Sequence, residues 1–296
     1  MKVLHVITGL DAGGAETQLA MLLRHSRHEC DVVTLYNPGP IADQIRAEGT
    51  TVRDIGMQSN RDVRALMKLR SLIAQGKYDA VHAHLYRSQI YARPAAKLAG
   101  TPVVVTTEHS IGETHIERRP MTRGVRGLYL ASERFSDRTI AVSEVVRDRL
   151  VRWGVPAGKI TVIPNGLDTA ALTFDPSARA QAREQFGIAP DTFVIGTLGR
   201  LDPNKRIDMV IEAAAPLLGD KCVMLIVGRG QSMDAAARRA VRDAGYEYAC
   251  AVEASLPEMG LMALPRIYAG QQDDAMRMAA KRLLYRGRIA LRGRRP

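Results

Sequence analysis

The chain has 296 residues, 46% of them hydrophobic and 25% charged, a balance typical of globular proteins and long enough for two domains that each bury a core. No apolar run approaches membrane-spanning length, and after Lys2 the first apolar stretch is broken by His5, Thr8 and Asp11, so neither a spanning helix nor a signal peptide is expected. The net charge of +11 does not point to nucleic acid: eight of those charges fall in the acid-free stretch 277–296, leaving +3 for residues 1–276.

In chain order, strand signals fall at 2–7, 31–35, 51–55, 79–83, 102–107, 138–142 and 160–163. Between them lie helix signals at 15–25, 40–48, 61–76, 88–99, 123–135 and 144–153. This alternation predicts an α/β domain with a parallel sheet over 1–165. Pro164, Asn165-Gly166, Asp175-Pro176 and Pro190 mark 166–190 as a linker with one short helix near 177–186. Phe193–Leu198, a helix over 207–218 and Val223–Val227 then form a second strand–helix–strand unit. Cys30, Cys222 and Cys250 have no metal-ligand spacing, and a reduced cytoplasmic chain is expected.

The stretch "GLDAGGAETQ" (9–18) leaves the first strand through glycines and opens a helix at Ala15. Gly13 and Gly14 permit positive φ and leave the backbone bare, which suits either an anion at a helix start or a plain tight turn. The spacing is not G-x-G-x-x-G, and in "VGRGQSM" Met233 stands where a third glycine would be, so a dinucleotide fingerprint is absent. His82 and His84 in "HAHL" alternate onto one strand face, yet no carboxylate or third histidine supports them at a metal-ligand spacing. Packing is expected there, and no metal. Ser143-Glu144 reads as a helix start.

Five stretches, "GLDAGGAETQ", "VHAHLY", "TTEHS", "AVSEVVRDRLVRWGVPAGKITVIPNGLD" and "IGTLGRLDPNKRIDMVIEAA", resemble consecutive signatures of retaining GT-B-fold glycosyltransferases, in the large family that includes sucrose synthase. The resemblance runs from residue 1 to about 230. It implies two Rossmann-like domains facing a cleft: an acceptor domain at 1–165 and a nucleotide-sugar-binding domain at 191–252. It implies transfer of a hexose, with retention, from a nucleotide-diphosphate sugar to a glycan or lipid-linked acceptor, without a cofactor or metal. Arg200 and Lys205 match the basic pair that neutralises the donor diphosphate; Gly13 and Gly14 match the backbone that faces it from the other domain. His109 in "TTEHS" matches a histidine that assists the reacting sugar.

The pattern stops after Gly230. Family members carry there two glutamates eight positions apart that engage the donor's sugar and ribose, whereas Glu247, Glu253 and Glu258 have no such spacing. The second domain is therefore expected to be incomplete and transfer impaired, with a catalytically inactive acceptor- or partner-binding remnant as the alternative. Residues 231–296 resemble the C-terminal end of polysaccharide deacetylases without that family's metal ligands, since no histidine follows His115. A helix over 235–244 and a strand over 246–252 are predicted, then a basic, flexible tail over 253–296. That tail is expected to be solvated, with peripheral contact at the inner membrane face as the other option.

Overall fold

The computed structural model describes residues 1–117, 119–199, 205–218 and 221–227. The chain divides into two compact units, Met1–Leu167 and a second that begins at Asp168.

The first unit alternates strands and helices: β1 (Lys2–Ile7), α1 (Gly14–His25), β2 (Glu29–Thr34), α2 (Gly39–Ala47), β3 (Thr51–Asp54), α3 (Val63–Gly76), β4 (Ala80–His84), α4 (Tyr86–Leu98) and β5 (Val103–Glu108). A small antiparallel hairpin, β6 (His115–Ile116) and β7 (Arg119–Pro120), interrupts the alternation before α5 (Arg123–Glu133), β8 (Arg138–Ala141), α6 (Glu144–Trp153) and β9 (Ile160–Val162). Seven parallel strands pair in the order β3-β2-β1-β4-β5-β8-β9. Local chemistry fixes the helix ends. Asp62, Thr122 and Ser143 accept the backbone N–H of Ala65, Val125 and Val146 at the starts of α3, α5 and α6, and Gly154, at φ +105°, closes α6.

Successive strand side chains point to opposite faces, so β1 contributes to two cores. Leu4 and Val6 pack with Val81, Ala83 and Val104 against α3 and α4. Ile7 joins Val32 under Leu19 and Ala20 of α1 and Ala42 and Ile45 of α2. His5 shares the face of Ile7 and lies in register with His82.

The loops after β1 and β2 lock together through backbone. Leu10 N–H donates to Asn37 C=O at 3.2 Å, and Ile41 N–H donates back to Leu10 C=O at 3.1 Å. Gly39 sits at φ +64° with Leu10 O only 2.6 Å from where a Cβ would be. Gly39→Ala is therefore expected to cost at least the left-handed penalty of about 1–2 kcal/mol, with the backbone clash in addition. Urea denaturation checks it; wild-type stability in the variant would contradict the loop contact.

In the second unit, α7 (Pro176–Phe186) lies in the expected linker, capped by Asp175 and closed by Gly187 at φ +63°. β10 (Phe193–Leu198) and β11 (Cys222–Val227) pair in parallel across α8 (Ile207–Ala214). The helix expected through 218 gives way to a 3-10 turn at Ala215–Leu217, because Pro216 has no N–H to continue the ladder. Arg200, the helix over 235–244, the strand over 246–252, the deacetylase-like stretch and the tail over 253–296 lie outside the described residues.

Candidate functional site

In an open parallel sheet, ligands bind outside the carboxyl ends of the strands where the strand order reverses. Here the reversal lies between β1, whose crossover runs toward β2, and β4, whose crossover runs toward β5. The glycine loop 9–14 leaves β1 at that point, His84 ends β4, and His109 follows β5. The glycine loop and His109 thus both lie at the carboxyl ends of strands in the one parallel sheet of the first unit.

Gly13 is the N-cap of α1 with φ −149° and ψ 168°, an extended conformation open to any residue, and Gly14 begins the helix without positive φ. The positive φ that these two glycines permit is therefore not used, and only at Gly13 would a side chain meet a neighbour, the carboxylate end of Glu16. A Cβ on Gly13 would lie 2.3 Å from Glu16 Oε2, whereas a Cβ on Gly14 would meet nothing within 4 Å. Thr17 closes the turn, its Oγ1 donating to Gly13 C=O at 2.9 Å.

The histidines form one cluster. His5 Nδ1 lies 3.1 Å from His84 Nε2, and His84 Nδ1 lies 3.2 Å from His109 Nε2. His82 Nε2 is 2.7 Å from Thr107 Oγ1, and its ring centroid is 4.1 Å from that of His84. Burial disfavours the imidazolium throughout: His5 and His109 are each lowered to about 4, and His82 and His84 are held well below their ordinary value. All four rings are therefore neutral at pH 7. His5, His82 and His84 each offer a nitrogen within 4.8 Å of the others, close enough to hold a metal ion. His5 is the supporting third histidine that the spacing had not offered, since it arrives from a neighbouring strand.

The backbone beside this cluster is strained. Leu85, between His84 and α4, adopts φ 73° and ψ 150°, a region that glycine occupies almost alone and that costs other residues about 1–3 kcal/mol. Three bonds hold it: Ser88 Oγ and Gln89 N–H donate to Leu85 C=O at 2.9 and 3.1 Å, and Tyr86 N–H donates to Glu117.

Behind His109, Gln89 Nε2 donates to Thr107 C=O at 3.0 Å and approaches Glu108 Oε2 at 3.4 Å. Burial pushes the Glu108 carboxyl up to about 7. Arg93, fully buried on α4, donates to Thr106 Oγ1 at 3.0 Å and Ser132 Oγ at 3.2 Å, with its guanidinium 4.6 Å above the Tyr129 ring. This network anchors the strand end that carries His109, and its polar residues gave no signal in the sequence.

In the second unit Lys205 is exposed in the turn between β10 and α8, while its neighbour Arg206 pairs with Asp208 at 3.1 Å. No helix among the described residues is long and apolar enough to cross a membrane.

Residues 12–171 match the profile of Glycosyltransferase Family 4. The UDP-Gal:alpha-D-GlcNAc-diphosphoundecaprenol alpha-1,3-galactosyltransferase of Escherichia coli is 30% identical over 181 residues, covering 59% of this chain and 46% of that protein. A D-inositol 3-phosphate glycosyltransferase of Actinosynnema mirum is 30% identical over 167 residues, covering 52% and 39%. The chain thus spans about half the length of these relatives, or less. Anabaena Alr3699/HepE, solved in complex with UDP-glucose, superposes with a TM-score of 0.72 at 22% identity, over 83% of this chain and 66% of that one. That likeness shows the fold: α/β, Rossmann-like and of the GT-B kind.

Proposed function

The chain belongs to glycosyltransferase family 4, and from that premise we propose that it transfers a sugar from a nucleotide-diphosphate donor to a glycan or lipid-linked acceptor, with retention and without a cofactor. The observation that carries this reading is that the glycine loop and His84 leave adjacent strand ends at the strand-order reversal, with His109 in contact with His84. The name of the Escherichia coli relative adds a UDP-sugar donor and a diphosphoundecaprenol-linked acceptor as the chemistry to test first.

In this reading His109 assists the reacting sugar, and Gly13 and Gly14 offer bare backbone at a helix start to the donor diphosphate. Arg200 and Lys205 supply fixed cations where charge develops on the departing diphosphate, the task that other transferases give to a metal. Arg200→Ala and Lys205→Ala are each expected to weaken UDP binding by about 1.5–3 kcal/mol, the range for charge-assisted contacts. Calorimetry with UDP, GDP and ADP checks this, and unchanged affinity in both variants would remove the pair from the site.

A second reading, binding without efficient transfer, is favoured by one observation: no two glutamates stand eight apart after residue 230. Retaining transfer needs the sugar held over the acceptor while the diphosphate leaves, and such positioning carries several kcal/mol of the barrier. The 296-residue chain is therefore expected to turn over slowly in an assay with a nucleotide-sugar panel and a lipid or glycan acceptor extract. Turnover of about one per second or faster would overturn the second reading.

A further inference from the structure

Three of the clustered imidazoles are joined nitrogen to nitrogen, His5 Nδ1 to His84 Nε2 and His84 Nδ1 to His109 Nε2. A neutral imidazole has one N–H and one bare nitrogen, and each link needs one of each. If His84 carries its proton on Nδ1, it donates to His109 and must accept from His5 Nδ1–H. If it carries the proton on Nε2, both links reverse. Only two states satisfy both links: all three rings protonated on Nδ1, or all three on Nε2. Any mixture sets two lone pairs or two protons against each other in a buried place, where an unmade hydrogen bond is costly.

The end of this chain is open. His109 Nδ1 is buried and has no hydrogen-bond partner among the described residues. A buried polar atom without a partner calls for one, and here a ligand can supply it. His82 shows the contrast: it lies on the same strand face, but its Nε2 is engaged by Thr107 Oγ1 and it makes neither link.

We propose that His84, and His5 behind it, are positioning residues that set the tautomer of His109, and that an oxygen of the nucleotide-diphosphate sugar selects the state in which His109 offers it Nδ1–H. This rests on the assignment of His109 to the donor site made above. Passing from the Nε2 state to the Nδ1 state moves one proton along each link. His109 Nδ1 takes up one proton from water and His5 Nε2 releases one to water, both when the buried cluster transiently opens, so net protonation is unchanged.

The test uses the 296-residue chain labelled with ¹⁵N-histidine. Two-bond ¹⁵N–¹H correlation spectra report the tautomer of each ring, without ligand and with UDP and UDP-glucose. The expected result is one shared tautomer for His5, His84 and His109, moving together to Nδ1–H when the nucleotide sugar binds. His5→Phe, two links away, is expected to change the His109 tautomer ratio by about twofold or more, while His82→Phe leaves it unchanged.

Mixed tautomers in the unsubstituted chain would overturn the proposal without any variant having to fold. So would a Co²⁺ titration in which d–d absorption bands appear and the His84 ring signals are lost, because both His84 nitrogens form links. Nucleotide binding seen by calorimetry with no tautomer shift would overturn the ligand-selected state and leave the functional reading standing. Linked tautomers in a chain that binds no nucleotide at all would overturn that reading, and the ligand half of this inference with it.

Discussion

Arg93→Ala is expected to destabilise the first unit by about 2–5 kcal/mol, the range for truncating a large buried side chain and leaving a cavity. The guanidinium is fully buried, and among the described residues no carboxylate oxygen lies within ion-pair distance of it. Its terminal nitrogens reach the hydroxyl oxygens of Thr106, Ser132 and Tyr129 and its plane lies over the Tyr129 ring, while Nε has no partner among the described residues. Removing it leaves a cavity and deprives Glu108 of the positive charge that partly offsets its burial, while Thr106 and Ser132 keep their bonds to Thr139 Oγ1 and Tyr129 C=O. Arg93→Met, which refills the volume without charge, is expected to cost much less, since well-packed apolar replacements of buried ions are often tolerated. Trp153, the single tryptophan, packs edge-on against Tyr129 at 5.4 Å, so its fluorescence during urea unfolding follows this unit. Equal losses in the two variants would show that the polar network, not volume, matters. A loss below about 1 kcal/mol in Arg93→Ala would sink the argument.

The strands and helices of the first unit were legible because each carries its own period. Val3–Ile7 runs apolar into a glycine turn, and Ala15 onward repeats leucines at helical spacing. The hairpin at 115–120 was not legible, since two-residue strands are too short to show alternation. The candidate site was half legible. His109 and the glycine loop stood out by motif, but the histidine cluster depends on strand order: β1 and β4 become neighbours across 77 residues, which puts His5 beside His82. Spacing along the chain cannot show a partner supplied by an adjacent strand. Arg93 was hidden for a related reason. It reads as a helix's polar face, yet Tyr91, Ala92, Ala95 and Ala96 around it are all buried. A helix flanked so densely by alanines packs closely against its neighbours, and that was the available signal.

Acidification is expected to unfold the first unit through the same histidines that define its candidate site. His5 titrates near 4 in the folded chain and near its ordinary 6.5 when unfolded. Above pH 6.5 it is neutral in both states and contributes nothing to the pH dependence. Between 6.5 and 4 the unfolded state binds the proton and the folded state does not, so stability falls as pH falls. At 1.36 kcal/mol per pKa unit, His5 alone removes about 3 kcal/mol by pH 4, a large part of the stability of an ordinary domain. His109, also lowered to about 4, adds a slope of the same sign, as do His82 and His84. Glu108 opposes them: its carboxyl, raised to about 7, makes the folded state the better proton binder between 4.5 and 7, so its contribution is lost as pH rises. Glu133, which burial also raises, has the same sign as Glu108, and two carboxyls against four imidazoles leave the histidine sign in control. Unfolding free energies from urea titrations at pH 7.5, 6 and 5, followed by Trp153 fluorescence, should fall in that order. His5→Phe should flatten the slope by up to one proton. Stability that stays level or rises on acidification would mean that the rings are hydrated in solution and that the buried cluster does not exist there as described.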